Sequence, residues 1–234
     1  MANQTVIESR IKYVENLFGV NGMPLYNSNR ELIGEGVLFK LCRRKPKQRH
    51  FFLFNDILVY GNIILYKKKL TSQHIFELES LTVEEVKGNE NFPFQFKVMT
   101  PKKSFIICAV SEDERTQWIL HIRKYSKECE TKTLSRNKPV GFCPVWIPDT
   151  EAMKCMTCNL TEFSWIQRRH HCRSCGNVVC AKCSQQKIIL PNQSHNALRV
   201  CVRCFLQNNI KIDNNSSKID KYNDSSSSSA GDSD

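Results

Sequence analysis

Four Cys-x-x-Cys pairs fall within fifty residues of this chain: Cys155/Cys158, Cys172/Cys175, Cys180/Cys183 and Cys201/Cys204. A gap of two residues lets both thiolates of a knuckle reach one ion at about 2.3 Å. Four knuckles therefore supply two tetrahedral four-cysteine zinc sites, which are closed and leave no position for a catalytic water. Thirteen, four and seventeen residues separate successive pairs. The short middle gap suits an interleaved arrangement. Cys155, Cys158, Cys180 and Cys183 would then hold one Zn2+, and Cys172, Cys175, Cys201 and Cys204 the other. Sequential pairing also satisfies the spacing. Large apolar residues are few here, so metal binding is expected to supply much of the folding energy. Disulfides are the competing use of so many cysteines. Regular pairs in a chain without a secretory leader point instead to metal in a reducing compartment.

The chain has 234 residues and a formal net charge of +11. That length accommodates one or two ordinary domains. Eight thiolates and two divalent ions would lower the charge by four and leave it basic. Such a balance suits an anionic partner, either a lipid surface or nucleic acid. The first residues, Met-Ala-Asn-Gln-Thr, lack a charged segment followed by an apolar one. No apolar run approaches the roughly 20 residues of a membrane span. The expectation is a cytosolic protein that meets a membrane only from the side.

Residues 5–18 predict a helix. Thr5-x-x-Glu8 reads as a capping box, and Ile7, Ile11, Val14 and Phe18 recur at helical spacing. Its polar face is not strongly basic, which favours a helix docked on the next domain over one lying on a membrane. Eight short strand-like pieces follow: 36–42, 49–54, 57–60, 63–66, 74–78, 81–86, 94–99 and 104–110. β-Branched and aromatic residues fill them, and Gly, Asn and Pro punctuate them. This pattern predicts an antiparallel sandwich or barrel. Ser111 then caps a helix to about Lys127, with acids in its first turn and Trp118, Ile119 and Ile122 on an apolar face. Residues 128–142 read as a polar linker and 143–206 as the cysteine domain. The Ser- and Asp-rich stretch 207–234 is expected to be disordered. Cys42 and Cys108 fall on strand-like pieces and read as core residues.

The second knuckle is built into Arg168-Arg169-His170-His171-Cys172-Arg173. Three guanidinium groups and two imidazoles thus stand beside backbone that the metal fixes. Arginine forks bind phosphate bidentately and stay charged at any cellular pH. Arg199 immediately precedes the last knuckle and can reach the same face. Nucleic acid would need base-stacking aromatics beside the bases, and only Phe163 and Trp165 qualify.

Two resemblances follow. About seven strands and one helix bearing a central Trp, over residues 35–127, resemble a pleckstrin homology domain. Trp146-Ile147-Pro148-Asp149, the Arg168–Arg173 run and Arg199-Val200-Cys201, with all eight cysteines, resemble the signature motifs of FYVE zinc fingers over 143–206. The fold implied is α+β and multidomain: a barrel capped by its C-terminal helix, followed by a small two-zinc finger. The finger's resemblance implies interleaved zinc pairing and binding of phosphatidylinositol 3-phosphate. Arg169, Arg173 and Arg199 would hold the 3-phosphate and Arg168 the 1-phosphate. Asp149, His170 and His171 would read the ring hydroxyls, beside Trp146. Trp165 and Ile166 occupy the loop that dips into the bilayer in similar domains. Lys40, Lys47 and Arg49 resemble a second headgroup site at the mouth of the first hairpin, while Lys102-Lys103 reads as surface charge. The order of the two domains resembles the Phafin family of endosomal adaptors. That resemblance implies a non-enzymatic protein, peripheral on early endosomes, with trafficking proteins as partners and a role in autophagy. A ubiquitin ligase of the RING type is the enzymatic alternative, because RING domains also interleave two zinc sites.

Overall fold

The computed structural model describes residues 2–65, 68–132 and 141–209. Contacts divide the chain after Glu151 into two compact units, with Pro191–Ser194 grouped with the first.

Helix α1 (Ala2–Phe18) opens the first unit. Seven antiparallel strands follow: β1 (Leu32–Lys40), β2 (Lys47–Phe54), β3 (Ile57–Leu65), β4 (Lys69–Glu77), β5 (Thr82–Asn89), β6 (Phe92–Met99) and β7 (Phe105–Cys108). They lie in the order β4-β3-β2-β1-β7-β6-β5. Helix α2 (Glu112–Lys132) completes the unit. Ser111 caps it as expected: its Oγ accepts the Glu114 N–H at 3.1 Å, while the Glu114 carboxylate accepts the Val110 N–H at 2.9 Å. The capping box expected for α1 does not form its start. The helix begins at Ala2, and Glu8 instead accepts the Gln4 amide at 3.2 Å from one turn earlier.

Two cores lie on opposite faces of the sheet. On one, Leu38, Phe51, Leu53, Leu58, Tyr60, Phe96 and Val98 pack against Trp118, Ile119 and Ile122 of α2. On the other, Phe52, Phe54, Ile57 and Val59 pack against Ile11, Val14, Leu17 and Phe18 of α1. Successive residues of a strand point to opposite faces, so the unbroken runs Phe51–Phe54 and Ile57–Tyr60 need a cover on each. Helix α1 supplies the second.

The sequence divides β3 in two at Gly61-Asn62, but the strand runs straight through. Gly61 is there for space. A Cβ on it would lie 2.5 Å from the Phe18 ring, so the glycine admits the helix rather than turning the chain. Beyond this point the register with β4 slips, from Tyr60↔His74 to Asn62↔Thr71. The extra residue is taken up near Ser72, whose φ is 52°. Gln73 thereby reaches the α1–β1 connection, where its Nε2 donates to the Met23 carbonyl at 3.2 Å.

Helix α2 extends to Lys132, so residues 128–132, read as linker, form its last turn. Cys129 holds that turn down, packing against the inner core and donating its thiol to the Asn55 carbonyl at 3.3 Å. Cys108 is fully buried on β7, whereas Cys42 lies past the end of β1 and is half-buried. After α2 the chain returns to the sheet. The Cys143 N–H donates to the Thr100 carbonyl at 3.0 Å, and Val145 bridges to Ser104. The rest of the linker, 133–140, and the tail from 210 lie outside the described residues.

The second unit contains two small hairpins, β8 (His170–His171) with β9 (Val178–Val179), and β10 (Lys187–Leu190) with β11 (Ser194–Arg199), except that the turn of the latter and Ser194 group with the first unit. Its buried centre is Cys155, Cys172, Val179, Cys180, Val200 and Cys201. Phe163, Ile188, Leu190 and Phe205 pack against it.

Candidate metal centres and anion sites

Each early knuckle is turned by a residue in the left-handed region just after its second cysteine. Asn159 (φ 56°) follows Cys158 and Gly176 (φ 83°) follows Cys175. These residue types enter that region at little cost. The turns close with N–H bonds from Asn159 to the Cys155 carbonyl at 2.8 Å and from Gly176 to the Cys172 carbonyl at 2.9 Å. The sulfurs then gather in two groups, Cys155/Cys158/Cys180/Cys183 and Cys172/Cys175/Cys201/Cys204, with all ligand atoms of a group within 4.8 Å of one another. The groups are therefore interleaved along the chain. Four sulfurs about 2.3 Å from one zinc stand about 3.8 Å apart. Cys175 and Cys201 are at 4.0 Å. Backbone donors face the sulfurs as well: Cys180 N–H to Cys155 at 3.3 Å, and Cys201 N–H to Cys172 at 3.2 Å. Such bonds favour thiolates. An all-thiolate tetrahedral set fits zinc in a structural role, and the chain carries two such sites.

The basic run is mounted on this frame. His170 and His171 form β8, paired to Val179 and Val178, and His171 is buried. The Arg173 N–H donates to the Arg199 carbonyl at 2.9 Å, which brings the last arginine beside the run. Arg169 is oriented by its Nε bond to the Ala152 carbonyl at 3.1 Å and lies 5.0 Å over the Phe163 ring. The Arg199 Nη1 donates to the Ser184 carbonyl at 2.9 Å. Arg168 is exposed. Beside the run, Ser164–Gln167 closes a tight turn. The Ser164 N–H reaches the Gln167 carbonyl at 3.1 Å, and the Gln167 N–H reaches the Ser164 hydroxyl at 3.1 Å. Trp165 and Ile166 sit at the corners of that turn, 87% and 67% exposed. An indole and a branched alkyl group in water, next to three arginines, suit insertion beside anionic headgroups. Trp146 and Asp149 fall in the first unit, where Asp149 pairs with Arg43 at 2.9 Å.

The first unit gathers a second basic cluster. Lys40, at the end of β1, is only 8% exposed, with its ammonium 4.8 Å over the Phe105 ring. Burial above all brings its pKa down to about 8, with Lys103 and Arg49 adding repulsion. The His74 ring lies tilted against Tyr60 with ring centroids 4.6 Å apart, and the charges of Lys103, Lys40 and Arg49 act on it too. Lys47 stands opposite Lys40 in the register and is exposed. Lys40 and Arg49 are readable from sequence. His74 is not, because it looks like any strand residue, and Lys103 reads there as surface charge. Three cations that repel one another form a site that an anion relieves.

Burial first, then Lys103, Lys40 and Arg49, lower His74 to about 4. The unfolded chain takes up this proton near pH ~6.5. The stability from keeping the ring neutral is thus complete above about pH 6.5 and is lost as pH falls to about 4. The thermal midpoint of the wild type is expected to drop more steeply across that window than that of His74→Asn. Parallel curves would show an unperturbed imidazole.

The comparisons with known proteins match both units. The sequence pattern of the PH domain fits residues 32–127, and that of the FYVE zinc finger fits residues 145–209. Human Pleckstrin homology domain-containing family F member 2 is 46% identical over 208 residues, covering 88% of this chain and 82% of that protein. The chain belongs to the Phafin family. The zebrafish (Danio rerio) member 2 is 47% identical over 88% of this chain and 83% of its own length. Human member 1 is 45% identical over 88% and 73%. A PH domain and a FYVE zinc finger on one chain support a phosphoinositide-binding adaptor and are consistent with peripheral association with a membrane. Among the described residues, no helix is long and apolar enough to cross a membrane.

Proposed function

We propose that the chain is a non-enzymatic adaptor that binds phosphatidylinositol 3-phosphate on early endosomes, where it serves trafficking, fusion and autophagy together with endosomal partner proteins. The observation that carries this reading is the backbone bond between Arg173 and Arg199. It joins two arginines distant in sequence on a frame that zinc holds rigid, next to the exposed Trp165-Ile166 turn. Arg169, Arg173 and Arg199 hold the 3-phosphate and Arg168 the 1-phosphate. His170, His171 and Asp149, with Trp146 in the same motif, read the ring. Trp165 and Ile166 enter the bilayer. Lys40 and Arg49, with Lys47 at the rim, take a second headgroup, so that two weak contacts on one chain reinforce each other. A RING-type ligase is disfavoured by the all-cysteine ligand sets and by arginines where an apolar docking patch for a partner enzyme would be needed.

Arg173→Ala is expected to lower affinity for vesicles carrying phosphatidylinositol 3-phosphate at least about tenfold. That follows from losing charge-assisted bonds worth roughly 1.5–3 kcal/mol each. Co-sedimentation gives the affinity, and elemental analysis should still find two zinc ions per chain, as the two sulfur groups require. Retained binding at full zinc content would move the principal site to the first unit.

A further inference from the structure

We infer that His74 is a further ligand of the first unit's basic cluster, taking up a proton as a phosphate monoester enters; this rests on the cluster being the second headgroup site, as proposed above.

The inner face of the sheet changes character at one end. On β1, β2 and β4 the last apolar core residue is followed by a cation two positions nearer that end, and so on the same face. Leu38 is followed by Lys40, Phe51 by Arg49 and Phe76 by His74. Lys103 stands two residues before Phe105, which opens β7 at the same end. Aromatic rings form the floor between these groups. Tyr60 is paired with His74 in the register, and its ring centroid lies 4.6 Å from that of His74 and 5.5 Å from that of Phe105. The Lys40 ammonium in turn lies 4.8 Å over Phe105.

Among the described residues neither Lys40 nor His74 makes a hydrogen bond or an ion pair. The groups acting on Lys40 are the Cys42 thiol, Lys103 and Arg49, and those acting on His74 are Lys103, Lys40 and Arg49. None of them is a carboxylate. A buried ammonium without a carboxylate partner is costly, and a phosphate relieves it. Burial and the three cations hold the imidazole neutral at physiological pH. A phosphate dianion paired with Lys40 and Arg49 reverses the local field and favours the imidazolium, whose N–H then donates a charge-assisted bond to the phosphate. This contribution is present below the pKa of the liganded histidine and is lost as pH rises through it.

The test uses the full chain carrying Arg173→Ala, to remove binding at the finger, with inositol 1,3-bisphosphate as the soluble probe. Lys40 also gains protons on binding near pH 8, and the probe's own second ionisation lies near pH ~6, so His74→Asn is compared at each pH. The affinity with His74 intact, divided by that of His74→Asn, is expected to rise about fourfold from pH 8 to pH 6. That is the factor for a histidine raised from about 4 to an ordinary ~6.5. In NMR spectra at pH 6, the imidazole signal missing from His74→Asn should be neutral without the probe and mostly protonated with it. Lys40→Met, which keeps an apolar chain over Phe105, should remove binding. Inorganic phosphate should bind more weakly; if it binds equally, the occupant is free phosphate rather than a headgroup, and the ratio must still rise. A constant ratio, or an imidazole that stays neutral on binding, overturns the role of His74 and leaves the headgroup site standing. Binding that survives Lys40→Met, or no binding by the Arg173→Ala chain at either pH, fails the second headgroup site and the role of His74 with it.

Discussion

Stripping the two zinc ions unfolds the second unit and leaves the first intact: this is the expected outcome of treating the protein with excess chelator. The reason lies in what fills the finger. Its buried apolar residues are four cysteines, Cys155, Cys172, Cys180 and Cys201, three valines, Val178, Val179 and Val200, and one alanine, Ala152. Three buried valines contribute roughly 4.5–9 kcal/mol between them. A structural zinc in a small finger contributes about 10–16 kcal/mol in apparent terms, as much as a whole domain's net stability of roughly 5–15 kcal/mol. Without the ions, nothing in the finger offsets the entropy of ordering its loops. Limited proteolysis is expected to cut chelated protein within 152–209 and to spare 32–127. Protection of the finger after zinc loss would show a core that carries itself. The interleaving adds a sharper expectation. Each ion joins a knuckle from the first half of the finger to one from the second half. Cys172→Ser should therefore loosen the whole unit, whereas sequential pairing would leave half of it folded. The arginines go with it, because Arg173 and Arg199 are joined through backbone that the second ion fixes.

The metal framework was legible because thiolate spacing is a short-range signal. Two residues between ligands determine a knuckle whatever surrounds it. Spacing left the choice of partners open, and sulfur positions in three dimensions decide it. The strands were legible from composition, with one instructive error at Gly61. Glycine within an apolar run signals either a turn or a close approach, and only the position of Phe18 tells which. The double-sided runs Phe51–Phe54 and Ile57–Tyr60 already carried the information that two covers were needed. The helix that supplies the second was visible in the spacing of Ile11, Val14 and Phe18. What sequence could not supply were meetings between distant residues: His74 and Lys103 beside Lys40, and Arg43 on Asp149. Each joins segments 29 or more residues apart, and none has a local pattern.

Removal of α1 is expected to cost the first unit most of its stability. Ile11, Val14, Leu17 and Phe18 are almost wholly buried against the outer face of the sheet. At about 1.5–3 kcal/mol each they contribute roughly 6–12 kcal/mol, an upper figure because the unfolded chain already hides some of this surface. Even half of that is a large share of a domain's stability of roughly 5–15 kcal/mol. A chain lacking residues 1–22 would expose Phe52, Phe54, Ile57 and Val59 together and is expected to aggregate or to melt far below the intact protein. A less drastic experiment locates the contact. Phe18→Ala should cost about 3–5 kcal/mol. Gly61→Ala alone should cost about 1–3 kcal/mol, since its new methyl meets the Phe18 ring. With the ring gone, the methyl has room. The double variant should then be less destabilised than the two single effects added, by about 1 kcal/mol or more. Strict additivity in denaturant melts would mean that Phe18 and Gly61 are not in contact, and that α1 covers the sheet from a different position.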